Sequence, residues 1–147
     1  MHRMRGAVAV SVIAVVVLSA GIAVAEPLTG AQWKKQGNAV CKQENKELNA
    51  IGAQFFAGLN NAAPTAEQMS EYAEQQRPVR EDAVASIVEL NEPKSLEAGV
   101  KKFEAAVNAN LDAVQADPSV AFAGDAFKTS HKVAKKIGLK ACAGGRS

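Results

Sequence analysis

Residues 95–117 read SLEAGVKKFEAAVNANLDAVQAD, and this stretch decides the fold class of the chain. Its apolar residues recur in steps of three and four, which is the spacing of one face of an α-helix. A strand would show apolar residues at every second position instead. The stretch therefore predicts a long amphipathic helix with the buried stripe Leu96, Val100, Phe103, Val107, Leu111 and Val114.

Two capping boxes predict where the helices before it begin. Thr29-Gly30-Ala31-Gln32 and Thr65-Ala66-Glu67-Gln68 both have the form in which two unpaired backbone donors are satisfied. The second of these helices should run toward Leu90, with a kink near Arg77 because Pro78 lies within it. The inner face of the first helix is predicted to be Trp33, Val40, Cys41, Leu48, Ile51 and Phe55. The inner face of the second is predicted to be Met69, Tyr72, Val79, Ala83, Ile87 and Leu90.

Caps also delimit the third and fourth helices. Ser95 is expected to cap the third, and Asp117 followed by Pro118 has the form of an N-cap with proline at the first helical position. Gly138 followed by Leu139 has the form of a glycine C-cap. The fourth helix should therefore begin after Asp117 and bury Val120, Ala123, Phe127, Ser130, Ala134 and Ile137.

Four helices joined by short loops favour an all-α, antiparallel, up-and-down four-helix bundle, formed by residues 26–147 as a single domain. Aromatic residues make up only 5% of the chain, so no aromatic ligand platform is expected. The two cysteines, Cys41 and Cys142, follow an export segment, and an even number in that context predicts one disulfide. This disulfide would close one end of the bundle.

Residues 1–25 are typical of a signal peptide. Arg3 and Arg5 precede an uncharged apolar run, and Ala23-Val24-Ala25 supplies a small-x-small cleavage pattern. An uncleaved membrane anchor is the alternative, because the run is long enough to cross a bilayer. The protein is therefore expected to be secreted or extracytoplasmic, with membrane attachment only if the segment is not cleaved. Without Arg3 and Arg5 the chain has fifteen basic and fifteen acidic residues.

Motifs for catalysis and cofactors are missing from the sequence. It contains no Cys-x-x-Cys-His motif for haem and no short-range cysteine and histidine spacing for zinc, so we expect no cofactor and no metal. Ser86 or Ser130 with His131 would offer hydrolase groups, but no glycine motif of a nucleophile elbow surrounds either serine. The sequence therefore predicts that the protein is not an enzyme and has no catalytic residues.

Two sets of polar residues leave alternatives open. Glu44 lies at the edge of the first inner face, and Gln76 and Arg80 are placed to approach it. These three residues would form either a pocket that orients a ligand or a structural ion pair, and the cost of an unpaired buried carboxylate favours the pair.

The second set is a face of the fourth helix that carries only basic residues. It would bind either an anionic envelope component or an acidic protein partner. Otherwise it is a solvated face whose last lysines complement the helix dipole. Nucleic acid is excluded for a neutral exported domain. We call this surface the lysine face; it consists of Lys128, Lys132, Lys135 and Lys136.

A family resemblance rests on Trp33, on Asn38-Ala39-Val40-Cys41-Lys42 with Asn45, on Leu90-Asn91-Glu92-Pro93 and on Ile137-Gly138-Leu139-Lys140-Ala141-Cys142. With the signal segment, these residues resemble small secreted proteins and lipoproteins of actinobacteria. The resemblance implies an exported helical domain with one disulfide, and it implies no activity. Ile22 stands where a lipidated cysteine would have to be, so lipid attachment there is excluded.

The sequence therefore predicts a non-enzymatic extracytoplasmic binding or interaction module. A small-ligand carrier with a pocket between the helices is the alternative.

Overall fold

Helices dominate the part of the chain that the computed structural model describes, residues 26–124 and 126–144. These residues form four α-helices and no strand. The predicted signal segment lies outside them. The helices are α1 (Gly30–Gly58), α2 (Ala66–Val88), α3 (Lys94–Ala116) and α4 (Lys128–Ile137), and two 3-10 turns cover Pro118–Phe122 and Ala141–Ala143.

Both predicted capping boxes are confirmed. The backbone N–H of Gln32 donates to Thr29 Oγ1 at 3.3 Å, and the N–H of Thr29 donates to Gln32 Oε1 at 3.0 Å. Thr65 and Gln68 make the equivalent pair at the start of α2. α2 continues through Pro78 as one helix and ends at Val88. The bend expected near Arg77 stays a prediction.

The stripe of α3 is confirmed, but its cap is not the predicted one. Five of the six stripe residues are buried, and Leu96 is partly buried. Ser95 does not cap the helix, because α3 already begins at Lys94 with Pro93 in the N-cap position. The carbonyl of Pro93 accepts the N–H of Leu96 at 2.8 Å, so Ser95 lies inside the first turn.

The fourth helix begins about ten residues later than the sequence predicts. Asp117 caps as expected, accepting the N–H of Ser119 at 3.0 Å, but it starts a 3-10 turn and not an α-helix. Gly124 follows with φ +79°, a left-handed conformation in which a right-handed helix cannot continue. α4 therefore begins only at Lys128. Val120 lies in the 3-10 turn, Ala123 is exposed, and Phe127 is the N-cap of α4.

The glycine cap at the end of α4 is confirmed. Gly138 has φ +88°, and the N–H of Leu139 donates to the carbonyl of Ala134 at 2.9 Å, as in a Schellman motif. Leu139 is fully buried. The cap thus turns the chain out of α4 and directs it into the core.

Successive helices pack on one another, α1 on α2, α2 on α3 and α3 on α4, and the last 3-10 turn packs on α1 and α4. The core is built around Trp33, Ile87, Phe103 and Leu139. α1 comes close to Leu139 because residue 37 is glycine, where a Cβ would lie 2.6 Å from Leu139 Cδ2. None of the helices in the described residues combines the length and hydropathy needed to cross a bilayer.

Candidate functional site

Cys41 and Cys142 lie at disulfide distance, as the sequence predicts. Their Cα atoms are 5.0 Å apart although 101 positions separate them in the chain. Both residues are buried, Cys41 on the inner face of α1 and Cys142 in the last 3-10 turn. The pair therefore joins α1 to the segment that follows α4.

Two asparagines on either side of Cys41 hold the same segment by its backbone. Asn38 Nδ2 donates to the carbonyl of Gly138 at 2.9 Å, and Asn38 Oδ1 accepts the N–H of Ala141 at 2.8 Å. Asn45 Nδ2 donates to the carbonyl of Ala141 at 2.9 Å. Positions 38, 41 and 45 lie on one face of a helix. We call these three residues, together with residues 138–142, the clasp.

The clasp gives a structural role to some of the residues on which the family resemblance rests. The sequence pattern includes Asn38, Asn45 and the segment 137–142 but assigns them no role. Their role in the structure is to fasten the chain end to α1. The spacing places Asn38, Cys41 and Asn45 on one helix face, but it does not show which backbone atoms the asparagines bind.

Glu44, Gln76 and Arg80 meet, as the sequence predicts. Arg80 Nη1 lies 3.3 Å from Glu44 Oε1, and Arg80 Nη2 donates to Gln76 Oε1 at 3.3 Å. The guanidinium carbon also lies 3.9 Å from the centre of the Phe127 ring, a cation–π contact. The side chains of Arg80 and Glu44 are only 16% and 12% exposed. The cluster is therefore a largely buried ion pair that joins α1 to α2 and contacts the start of α4.

Burial dominates the electrostatics of this cluster. It raises the pKa of Glu44 above the ordinary 4.5, and the positive charge of Arg80 offsets only part of that effect. Burial likewise lowers the pKa of Arg80. The pKa of His131 falls below 6.5 through burial and then through the nearby charge of Arg80. Glu44 is therefore more easily protonated, and His131 less easily protonated, than an exposed residue of its type.

The space beside the ion pair is small. A cavity of about 20 Å³ touches Glu44, Arg80, His131 and Cys142, which is room for about one water molecule. Ligand pockets usually measure about 300–1,000 Å³. The geometry thus supports the interpretation of Glu44 as part of a structural ion pair, and ligand binding at this place stays a hypothesis from the sequence.

A larger concavity of about 300 Å³ lies open on the surface at α2 and α3. The residues that line it include Val88, which is 38% exposed, and the acidic residues Glu81, Glu89 and Glu104. It is separate from the cluster of Glu44 and Arg80.

Ser130 and His131 are adjacent in the chain but have different surroundings. Ser130 is buried; its hydroxyl donates to the carbonyl of Phe127 and accepts from Asn110 Nδ2, both at 2.9 Å. His131 is half-buried at the flank of α4. The contacts of Ser130 are those of a structural hydroxyl that ties α4 to α3.

The lysine face is exposed on α4. Lys128, Lys132, Lys135 and Lys136 are all exposed, and none forms an ion pair within residues 26–124 and 126–144. Lys101 on α3, in contrast, pairs with Glu97 at 2.7 Å. Lys135 and Lys136 occupy the last turn of α4, where positive charge complements the helix dipole.

An aromatic cluster was not expected from the sequence. Phe55 and Tyr72 stack with ring centres 4.4 Å apart, and Phe122 lies 5.4 Å from Tyr72. Phe56 packs on Phe55 at its edge and is 56% exposed. The cluster depends on where the 3-10 turn places Phe122, and no local pattern in the sequence indicates that position.

Comparison with known proteins does not assign the chain to a family. No protein-family model matches the chain, and neither the curated proteins nor the solved structures include a significant match. The resemblance to actinobacterial secreted proteins therefore stays a prediction from the sequence.

Proposed function

We propose that the protein is an exported, non-enzymatic binding module that attaches to an anionic component of the cell envelope through the lysine face. The observation that carries this proposal is that four lysines on a helix of ten residues are exposed and have no acidic partner in the described part of the chain.

The attraction between the lysine face and an anionic surface is strong enough for surface attachment. Each lysine near an anionic membrane adds about 1 kcal/mol. The chain after residue 25 has equal numbers of basic and acidic residues, so binding depends on this face and not on net charge. Because the groups are exposed, added salt should weaken the attachment.

The proposal includes export and an antiparallel up-and-down bundle. Export is supported by the sequence of residues 1–25 and by a cysteine pair at disulfide distance. The up-and-down arrangement is supported by short connections and by the packing of successive helices. The clasp would then hold α4, and with it the lysine face, in a fixed position.

Vesicle binding tests the proposal. Protein secreted from a bacterial host is mixed with phosphatidylglycerol or phosphatidylcholine vesicles over a range of salt concentrations. Binding should occur with the anionic vesicles only and should weaken as salt rises. The variant Lys132→Gln/Lys136→Gln should bind about 30-fold more weakly, from about 1 kcal/mol for each lysine.

The matched control is Lys101→Gln/Lys102→Gln, which removes two exposed positive charges from α3. It should bind nearly as tightly as the unaltered protein. Equal losses in both variants would mean that net charge, and not the lysine face, governs binding. Binding to neutral vesicles that is indifferent to salt would contradict the proposal.

A further inference from the structure

Three groups with metal-binding chemistry meet at the clasp. The Sγ atoms of Cys41 and Cys142 and a carboxylate oxygen of Glu44 all lie within 4.8 Å of one another. Cys41 and Glu44 are three residues apart on α1, so they share a helix face. The sequence predicts no metal because its cysteines and histidines lack the short spacings of common zinc sites, and this set is completed by a carboxylate and a distant cysteine.

Thiolates and a carboxylate are ligands that suit zinc and similar cations. Tetrahedral zinc binds cysteine sulfur at about 2.3 Å and accepts carboxylate oxygen and water as further ligands. Arg80 contacts Glu44 through Oε1, and no described hydrogen bond uses Oε2. The cavity of about 20 Å³ beside Glu44 and Cys142 has room for one water as the fourth ligand.

Charge balance favours a dication once the sulfurs are reduced. In the disulfide state Glu44 and Arg80 compensate each other. Two thiolates would add two negative charges to a buried site, which is costly without a counter-charge. A divalent cation restores neutrality to the set formed by two thiolates, Glu44 and Arg80.

The asparagines of the clasp keep the ligands together without the disulfide. Asn38 and Asn45 bind the backbone of Gly138 and Ala141, and neither contact involves sulfur. Cys142 directly follows Ala141, so it stays close to Cys41 after the bond between them is broken.

We propose that reduction of the cysteine pair converts the clasp into a site for one thiophilic divalent cation such as Zn²⁺, with Cys41, Cys142 and Glu44 as protein ligands. A dithiol reductant supplies two electrons and two protons: its sulfurs join in a disulfide while the bond between Cys41 and Cys142 breaks and two thiols form. The cation then replaces the two thiol protons, which pass to solvent. This site is separate from the lysine face.

Titration of the full protein with Cd²⁺ tests the proposal. One sample is kept oxidised; the other is reduced with a dithiol, which is removed without oxygen. The reduced protein should bind one Cd²⁺ per chain, give sulfur-to-metal charge-transfer absorption and release two protons. The oxidised protein should show none of these changes, and binding by the oxidised form equal to that of the reduced form would overturn the proposal.

Variants test the ligands. Glu44→Gln should weaken Cd²⁺ binding at least about tenfold, since even residues that only orient a ligand are worth about 10–100-fold. Glu47→Gln, which changes an exposed carboxylate one turn away, should leave affinity unchanged. The double variant Glu44→Gln/Arg80→Met removes both charges of the ion pair. It therefore shows the effect of losing the Glu44 ligand without leaving Arg80 unpaired. Unchanged affinity in both Glu44 variants would overturn the proposal.

Circular dichroism distinguishes Cd²⁺ binding at a folded site from Cd²⁺ binding to two thiols of an unfolded chain. If the reduced protein keeps its helices, the Cd²⁺ affinities of the unaltered protein and of the Glu44 variants show whether the site forms. If it loses them, Cd²⁺ should restore the helices in the unaltered protein and not in Glu44→Gln. Binding of Cd²⁺ without recovery of helix would overturn the proposal.

Discussion

Removing the link between Cys41 and Cys142 should cost the protein much of its stability. The two residues enclose a loop of about a hundred residues, with a sequence separation of 101. In the chain-entropy account, opening such a loop costs about 4.7 kcal/mol, because the unfolded chain gains freedom. Domains of ordinary size are stable by about 5–15 kcal/mol. Cys41→Ser/Cys142→Ser should therefore remain folded only marginally.

Urea unfolding followed by tryptophan fluorescence measures this loss. Trp33 is the single tryptophan and is fully buried, so its emission reports exposure of the core. Reducing the unaltered protein should lower the free energy of unfolding by a similar amount, and reductant should leave the double serine variant unchanged. A loss below about 1 kcal/mol in both experiments would refute the loop-closure reasoning.

Three further predictions concern the clasp and the ion pair. Asn38→Ala removes two contacts to the chain end and leaves the Ala141 N–H unpaired, so urea unfolding should show a loss of about 1–3 kcal/mol, while Asn45→Ala should lose about 1 kcal/mol. Arg80→Met leaves the Glu44 carboxylate without its cation and should cost about 3–5 kcal/mol. Arg80 lowers the pKa of Glu44, so removing Arg80 lets burial raise that pKa further. The folded variant then holds the Glu44 proton more strongly than the folded unaltered protein does, and the loss should grow as the pH rises from 4.5 toward neutral. A difference in unfolding free energy between Arg80→Met and the unaltered protein that is the same at pH 4.5 and at neutral pH would contradict this prediction. His131 has a lowered pKa, so the stability it contributes above pH 6.5 is lost as the pH falls through its folded pKa. His131→Gln should lose less stability at acid pH than the unaltered protein. If the free energy of unfolding depends on pH identically in both proteins, His131 is not a source of the acid destabilisation.

Local signals predicted much of the helical structure. The capping boxes at Thr29 and Thr65 and the glycine cap at Gly138 depend on residues within one turn, and all three form as expected. The stripe of α3 succeeded for a similar reason, since its period repeats along the whole helix. Strong periodicity and caps are thus reliable where no neighbouring residue competes.

Competition between neighbours accounts for the errors. Pro93 takes the cap position that Ser95 was expected to fill, because its fixed φ suits the entry to a helix. Gly124 interrupts the helix predicted after Asp117, although the apolar period continues across it. Periodicity describes which residues face the core and does not exclude a break between them.

The candidate site was predictable in part. Glu44 and Arg80 come together because an unpaired buried charge is costly, and that rule depends only on residue type and on the helix face that carries it. The contacts of Asn38 and Asn45 involve backbone atoms about a hundred residues away, so no local pattern specifies them. The approach of Glu44 to both sulfurs depends on the same placement of the chain end.

Hydrogen exchange at the backbone amide of Ala141 tests most directly the claim that the chain end is locked onto α1. This amide donates to Asn38 Oδ1 at 2.8 Å and lies beside Cys142. Free chain ends exchange quickly, whereas amides tied into the core open only with the fold. The oxidised protein should protect Ala141 nearly as well as the amides of α3. Exchange at the rate of an unstructured peptide would contradict the clasp.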